Sequence, residues 1–439
     1  MAGKITRKLV SKLVFLVLLN SGLVLAQTRS SDPEEQQDEG VINQRFRDET
    51  SSEITGRGRS LQDSVTQNPR NTVGFSLGLF GLYDSAAAAE NQKPTKRSVE
   101  GMIQPMVFAN FGRRKAILHL DYSMERRIFT ASDFDSTFHT GNIGFSYTPN
   151  RSLIIELTDE IRSAPSNLLS LSGGFRPGLP GGTPLGPGIS AYSFERLLMN
   201  NATGRLAYRF TRNNTISFYG NSQIFRYKTD KTQDMNPYNL GASLARALTR
   251  DVDASVEFLA GNYDTISGSR RVRVKRLSGG LNYRFTRHWS IRESGGVEWV
   301  EIQNSRFRPY YLEAGLGRVS RKSIFALSYR RGAQYQLGTP LLTANHTAAA
   351  SLDQRISKKS SILLSGYYYR SKPFSEGKQQ TTFITGLGFK YSLLSFLLAS
   401  INGSYIHQNR AFNQETSPIL NRYIVYAGLE LIIPGVRGR

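Results

Sequence analysis

The chain has 439 residues, 39% of them hydrophobic, and carries 56 basic against 34 acidic residues, a formal charge of +22. It has no cysteine, which excludes a disulfide framework and a cysteine-ligated metal centre. A basic excess often indicates nucleic-acid binding, but the N-terminus predicts export, and an exported chain meets anionic lipid headgroups, acidic polysaccharide and small anions instead.

Residues 1–26 predict a cleaved secretory signal. Four basic residues precede or enter the apolar run LVFLVLLNSGLVLA, which ends at the small residue Ala26. A membrane anchor is the alternative, and the shortness of the run and its interruption at Asn20, Ser21 and Gly22 argue against it.

Residues 27–70 predict a disordered, acidic periplasmic leader. Residues 27–55 contain eight acids and three bases, and the whole segment has too few apolar residues to fold by itself. We expect it either to plug the basic lumen of the following domain or to serve as a tether or docking tail for a periplasmic partner. The sequence does not choose between these hypotheses.

From Thr72 onward apolar residues recur at every second position, which is the period of a β-strand. The segment NTVGFSLGLFGLY shows it first, and KAILHLDYSMERR repeats it with charged residues on the opposite face. About eighteen strands are expected, with 16 to 20 as the range. They lie near 72–83, 102–112, 115–129, 136–148, 152–163, 199–211, 215–228, 238–249, 253–264, 270–286, 289–304, 306–318, 323–336, 341–356, 360–372, 380–393, 396–409 and 419–433.

Short polar corners recur along the chain and join these strands in pairs. The corners YRFTRNNTI, RALTRDVDA, LNYRFTRHWS, GRVSRKSIF and QRISKKSSI, measured at Arg212, Arg250, Arg287, Arg321 and Lys359, lie 34 to 38 residues apart. The repeat unit is therefore a hairpin. Longer connections at 84–101, 164–198, 229–237 and 410–418 alternate with the corners, as in an outer-membrane barrel. We place the barrel at 71–434 and a basic tail at 435–439.

Aromatic residues gather beside the short corners, as in an interfacial girdle where amphipathic rings lie at headgroup depth. Ordinary core packing is the alternative interpretation, because cores also favour aromatic residues. The girdle candidates are Phe145, Tyr147, Tyr208, Phe210, Tyr283, Phe285, Trp289, Phe389, Tyr391 and Phe396.

An interior of eighteen strands is too wide for side chains to fill and leaves an aqueous channel. Excess arginine in such a lumen favours anions; alternatively, the basic excess lies mainly on rims that contact acidic lipid. The pore-lining candidates are Arg127, Arg205, Arg209, Arg284, Arg292, Arg330, Lys390, Arg422, Asp121, Glu125, Glu156, Glu257, Glu298 and Glu430. Two polar residues, Glu293 and His346, fall on faces assigned to lipid, and the alternation loses step across RRVRVKRL.

We expect neither catalysis nor a cofactor or metal. The five histidines are scattered, and the chain contains neither HExxH nor GxSxG. An enzyme would instead require a serine or aspartate cluster around one histidine at the loop rim.

The repeated corners, YRFTRNNTISFYG and LNYRFTRHWSIRESGG, together with the signal segment, resemble the large outer-membrane β-barrels of Gram-negative bacteria, in particular porin-like barrels found with exopolysaccharide or capsule export systems. The resemblance covers residues 72 to 433 and implies an all-β, antiparallel transmembrane barrel inserted by the barrel assembly machinery. Unlike such barrels, the chain ends on Pro434 and a basic tail after YAGLELII, without a terminal aromatic residue.

These patterns predict an outer-membrane channel for hydrophilic solutes that prefers anions, with exopolysaccharide export as its specialised form. Its expected partners are outer-membrane lipid and lipopolysaccharide, with small anions or acidic polysaccharide as cargo and no nucleic acid. The alternative is a non-conducting barrel, or a secreted β-protein, that binds a surface polysaccharide or a partner protein. The loop at 164–198 could narrow the pore or cover its mouth.

Overall fold

A computed structural model describes most of the chain from Thr72 to Ile433. The described residues are 72–85, 98–113, 115–129, 136–165, 196–227, 234–263, 271–303, 305–320, 322–336, 341–374, 379–409 and 420–433. They belong to one compact unit, Thr55–Arg439. No helix in this part of the chain is long and apolar enough to cross a membrane. The signal segment, the leader, the centre of the 164–198 loop and the basic tail lie outside the described residues, so those expectations stay predictions.

The described residues form nineteen β-strands. In chain order they are β1 Thr72–Asp84, β2 Ser98–Arg113, β3 Ala116–Phe129, β4 Ser136–Asn150, β5 Leu153–Pro165, β6 Arg196–Arg209, β7 Asn214–Tyr227, β8 Tyr238–Ala247, β9 Val252–Asn262, β10 Val272–Arg284, β11 Trp289–Ile302, β12 Ser305–Phe307, β13 Tyr310–Val319, β14 Ser323–Gln336, β15 Leu341–Arg355, β16 Ser360–Pro373, β17 Gln380–Leu394, β18 Leu397–Asn409 and β19 Leu420–Ile433.

Every strand pairs antiparallel with its neighbours, and β1 pairs with both β2 and β19, so the sheet closes on itself. The strands β12 and β13 both pair with β11 and occupy one position in the wall, which therefore has eighteen positions. Arg308 and Pro309 separate them, because proline has no N–H to donate to the ladder. The prediction of a closed antiparallel barrel of about eighteen strands is confirmed.

The strand ends divide the barrel into two rims. Short turns join β2 to β3, β4 to β5, and each later pair up to β17 and β18. The first residues of β1 and the last residues of β19 lie at the same rim as these turns. We call this rim the turn end and the opposite rim the loop end.

The two faces of the wall are inside out relative to a soluble protein. Large apolar side chains point outward and are widely exposed, including Leu240 at 62% and Leu387 at 57%. The inward face carries many small polar residues, such as Ser217, Asn402 and Ser404. An outward apolar band around a polar interior is the pattern of a transmembrane barrel.

The sequence predicted that the alternation loses step across RRVRVKRL, but the strand register shows no slip there. The register continues through β10, with Arg273 and Lys275 outward and Val272 and Val274 inward. The two valines pack with Val300 and Leu342 in a buried apolar cluster near the loop end. Apolar residues occupy the inner face of this part of β10 and charged residues its outer face, which is the reverse of the arrangement in most of the wall.

Candidate functional site

Several inward charges of the lumen are held in ion pairs between strands. Arg205 of β6 lies 3.2 Å from Glu156 of β5 (Nη1 to Oε2), and each side chain is about one-third exposed. Arg276 of β10 donates to Glu257 of β9 at 2.5 Å, and both are mostly buried. In both pairs the base is compensated by an acid on the neighbouring strand.

One charged part of the inner wall runs from β9 to β14. The Arg276 guanidinium carbon lies 4.1 Å from the centroid of the Tyr311 ring, and that of Arg330 lies 5.7 Å from the same ring. Glu298, which is 2% exposed, accepts a 2.6 Å hydrogen bond from the Ala333 N–H. Arginines and acids are both present in this part of the wall, so it offers polar contacts of both signs.

Other charged groups of the inner wall also have nearby partners. Asp121 accepts a 2.9 Å hydrogen bond from the Asn142 amide. Lys390 interacts electrostatically with Asp353 and Glu430 from neighbouring parts of the wall. In each case an inward charge has a polar or oppositely charged group close by.

The strand register places the predicted pore residues at inward positions of the wall. Sequence reasoning missed Arg276, Tyr311, Glu313, Asp353 and Asp84, although carrying the two-residue period through β10 would have found Arg276. Arg127 pairs with Met102 in the register, but its side chain lies outside the described residues. The inward positions are Arg205, Arg209, Arg284, Arg292, Arg330, Lys390, Arg422, Asp121, Glu125, Glu156, Glu257, Glu298 and Glu430.

Acidic side chains are about as frequent as basic ones on the inward face of the described strands. The lumen wall therefore does not carry the large basic excess of the chain, and an excess of lumen arginine is not a sound basis for anion preference. Outside the lumen, the described basic residues lie at both ends of the barrel, and those of the turn end recur at one position of successive turns.

The recurring corner is a turn capped by a side-chain oxygen. The Thr286 hydroxyl accepts from the N–H groups of His288 and Trp289 at 3.2 and 3.1 Å. Thr211 and Thr249 make the same pair of bonds in their turns, and Ser357 does so at 3.1 and 3.0 Å. A hydroxyl that caps its own turn satisfies main-chain donors that the ladder leaves unpaired.

The residue after each capping residue is basic and exposed, and so is Arg151, which follows Asn150, whose side-chain oxygen caps the turn between β4 and β5. At the corner near 357 this position belongs to Lys358, one residue before the Lys359 used to measure the repeat. Because the turns all lie at one rim, these side chains form a ring around the turn-end mouth. We call this set the basic ring: Arg151, Arg212, Arg250, Arg287 and Lys358.

The girdle candidates also lie at the turn end, on outward strand positions or in the turns. The rings of Tyr283 and Phe285 are 6.1 Å apart, Phe285 and Trp289 are 6.2 Å apart, and Trp289 meets Phe325 at 6.1 Å. Phe325, which the sequence did not single out, extends this row. The guanidinium of Arg318 lies 5.4 Å from the Trp289 ring. The other candidates on strands are outward, at Phe145, Tyr147, Tyr208, Phe389 and Tyr391, and Phe210 and Phe396 lie in turns.

Polar residues on the outward face include the two that the sequence flagged, Glu293 and His346. Among the other histidines, His139 contacts the Tyr122 hydroxyl at 2.8 Å and His407 contacts Asn421 at 2.8 Å. Within the part of the chain that the structure describes, no group of three or more His, Asp or Glu is placed to hold a metal ion.

A closed wall with an apolar outer surface, a polar inner surface and two unequal rims defines a β-barrel of the transmembrane class. Solved structures similar to this chain are also barrels. OpdQ of Pseudomonas aeruginosa matches at 9% identity and a TM-score of 0.44, over 83% of this chain and 98% of that one. OccK9 (OpdG) of the same organism matches at 11% and 0.44, over 82% and 98%. The siderophore receptor PirA from Pseudomonas aeruginosa matches at 6% and 0.42, over 84% and 81%.

At these TM-scores the likenesses transfer no function to this chain. No family model matches the sequence, and no curated protein sequence matches it.

Proposed function

We propose that this protein is an outer-membrane channel that passes hydrophilic solutes. The observation that supports the proposal most strongly is the inside-out wall, with exposed side chains such as Leu240 and Leu387 outside and Ser217, Asn402 and Ser404 inside. Water satisfies the inner polar groups, lipid covers the outer band, and a barrel of eighteen strands is wide enough to leave an aqueous path.

The proposed channel prefers anions, and the basic ring supports that preference better than the lumen does. A ring of exposed cations at a mouth raises the local concentration of anions and lowers that of cations. The lumen beyond it carries charges of both signs, so the preference is set where solutes enter or leave at the turn end and is modest in size.

Export of an acidic exopolysaccharide is the specialised form of this proposal. Inward tyrosines support it, because aromatic faces pack against sugar rings while nearby arginines contact carboxylates. Tyr311 lies between two such arginines, Arg276 and Arg330. Polymer added to one side should then block single-channel current at much lower concentration than the free monosaccharide.

The decisive experiment is the conductance of the refolded mature chain in a planar bilayer under a salt gradient. We expect discrete current steps and a reversal potential whose sign corresponds to a preference for anions. Removing residues 27–70 should enlarge or steady the steps if the leader acts as a plug. Silence from a correctly folded, heat-modifiable barrel, with and without the leader, would favour the non-conducting alternative that binds a surface polysaccharide or a partner.

Two neighbouring positions on β8 test which face meets lipid. Leu244 is outward and 49% exposed, whereas Ser243 is inward and opposite Glu257. We expect Leu244→Arg to destabilise the folded barrel by about 2–4 kcal/mol, because it places a charge in the apolar band, and Ser243→Arg to cost less than about 1 kcal/mol. Urea unfolding in lipid vesicles measures both, and equal costs would contradict the assignment of the faces.

A further inference from the structure

Three basic side chains and a histidine form a compact patch on the outward face near the loop end. Arg331 of β14 pairs in register with His346 of β15, and His346 pairs with Arg370 of β16. Lys372 lies two residues further along β16, on the same face. Cross-strand partners are about 5 Å apart and successive same-face residues about 7 Å apart, so the four groups lie close together. We call this set the cationic patch.

Neutral partners hold the side chains of the cationic patch. The Arg331 guanidinium carbon lies 3.4 Å from the centroid of the Tyr310 ring. The Arg370 Nη2 donates to the Gln379 side-chain oxygen at 2.7 Å, and His346 Nδ1 lies 2.9 Å from the Tyr329 hydroxyl. Among the described residues of β13 to β17, no acidic side chain is on the outward face. The patch therefore keeps its positive charge at the membrane-facing surface.

A groove of small residues lies between the cationic patch and the turn end. Its floor includes Ala350, Gly366 and Gly403, and Thr385 lies in register with Gly366. At Gly366 a Cβ atom would meet nothing within 4 Å, so the floor is open there. The groove walls are Phe325, Leu352, Leu364, Leu387, Tyr405, Tyr423 and Val425.

The cationic patch and the groove lie in line along β15. Ala348 separates His346 from Ala350, so the patch lies about 13 Å from the groove floor. The outward face thus offers a cation cluster at headgroup level and, directly below it, an apolar trough extending from β14 to β19. This order matches a lipid whose phosphates lie at the loop-end surface and whose acyl chains extend into the membrane.

We propose that the cationic patch and the groove together bind one molecule of lipid A, the phosphorylated, multiply acylated glycolipid of the outer leaflet. The inference rests on the outer-membrane location in the proposed function. Several cations in one patch suit a lipid with two phosphates, and a trough that crosses several strands suits more than one acyl chain. The site lies on the outer wall, so it does not depend on conduction through the lumen.

Native mass spectrometry of the full refolded barrel, titrated with purified lipid A, tests the proposal. We expect saturation at one lipid A per barrel. The double variant Arg331→Gln and Arg370→Gln should weaken binding by about 10- to 100-fold, since it removes two charge-assisted contacts. Gly366→Leu should weaken lipid A binding as well, because its side chain fills the groove, yet it leaves the patch intact.

A matched control removes the same charge elsewhere. Arg273 and Lys275 are outward on β10, also near the loop end but away from the groove. Arg273→Gln with Lys275→Gln should leave lipid A binding unchanged. Unaltered heat-modifiability and current steps show that each variant is folded, and they separate failure of this inference from failure of the channel proposal.

Three results would overturn the inference. The first is equal affinity for lipid A and phosphatidylglycerol, which would make the patch a general contact for anionic lipid. The second is an effect of the β10 control as large as that of the Arg331 and Arg370 variant. The third is a shift from oligomer to monomer with Gly366→Leu, which would make the groove an interface with a second copy of the chain.

Discussion

Replacing Arg151, Arg212, Arg250, Arg287 and Lys358 by glutamate is expected to reverse the proposed ion preference of the channel, from anions to cations. Each substitution changes the charge at the turn-end mouth by two units, while the lumen keeps its balanced acids and bases. The anion-to-cation permeability ratio should fall from above about 2 to below about 0.5, because the field at the mouth changes sign. The reversal potential in a planar bilayer under a salt gradient measures this ratio.

The control exchanges lysine and arginine at the same five positions, which keeps the charge and should keep the preference. Raising the salt concentration should weaken the preference of the original chain, since exposed charges are screened over about 10 Å at 0.1 M salt. An unchanged reversal potential in the glutamate variant would show that the lumen, and not the basic ring, selects ions.

Asp84→Asn is expected to destabilise the barrel by about 3–5 kcal/mol, because it leaves a buried arginine without its counter-charge. Arg422 donates from Nε to both carboxylate oxygens of Asp84, at 2.8 and 3.1 Å, and a further bond runs from its Nη2. The two side chains are 3% and 2% exposed. Asp84 ends the first strand and Arg422 lies near the start of the last. The ion pair therefore joins β1 and β19, the two strands whose pairing closes the barrel, and we call their contact the seam.

Two comparisons isolate the role of the pair. The double variant Asp84→Leu and Arg422→Met should recover stability to within about 1 kcal/mol of the original chain, because the site adjoins an apolar cluster of Leu82, Ile406 and Ile424. Glu156→Gln breaks a pair that is about one-third exposed and should cost less than about 1 kcal/mol. Urea unfolding followed by the heat-modifiable gel shift measures all of these. A cost for Asp84→Asn no larger than that for Glu156→Gln would contradict a stabilised seam.

The two rims have different chemistry on this interpretation. The turn end carries the basic ring around the mouth and an aromatic row, Tyr283 to Phe325, on the outer wall. The loop end carries the seam pair inside and the cationic patch outside. Ion preference and lipid binding are therefore assigned to separate surfaces, and the variants of the basic ring and of the cationic patch each change only one of them.

Much of the fold was predictable from local sequence, because strand alternation and turn chemistry are local properties. The pleat places successive side chains on opposite faces, so Leu206, Tyr208 and Phe210 mark the outward side of the wall without knowledge of any partner strand. The hydroxyl that caps each corner acts on main-chain groups two and three residues ahead, and this is why the corner is visible as a repeat. The sequence alone did not show that the basic residues of these corners surround one mouth, because this depends on all the turns lying at the same rim.

The partners of the charges could not be predicted from sequence. Asp84 and Arg422 are 338 residues apart and meet only because the last strand pairs with the first, in one register among many. Likewise Arg331, His346 and Arg370 form a patch only because two registers align them, and a shift by one residue would move each to the other face. By itself the sequence determined the strands, their two faces and their turns. The tertiary structure decided closure, charge compensation and the outer-wall groove, because these depend on contacts between residues distant in the chain.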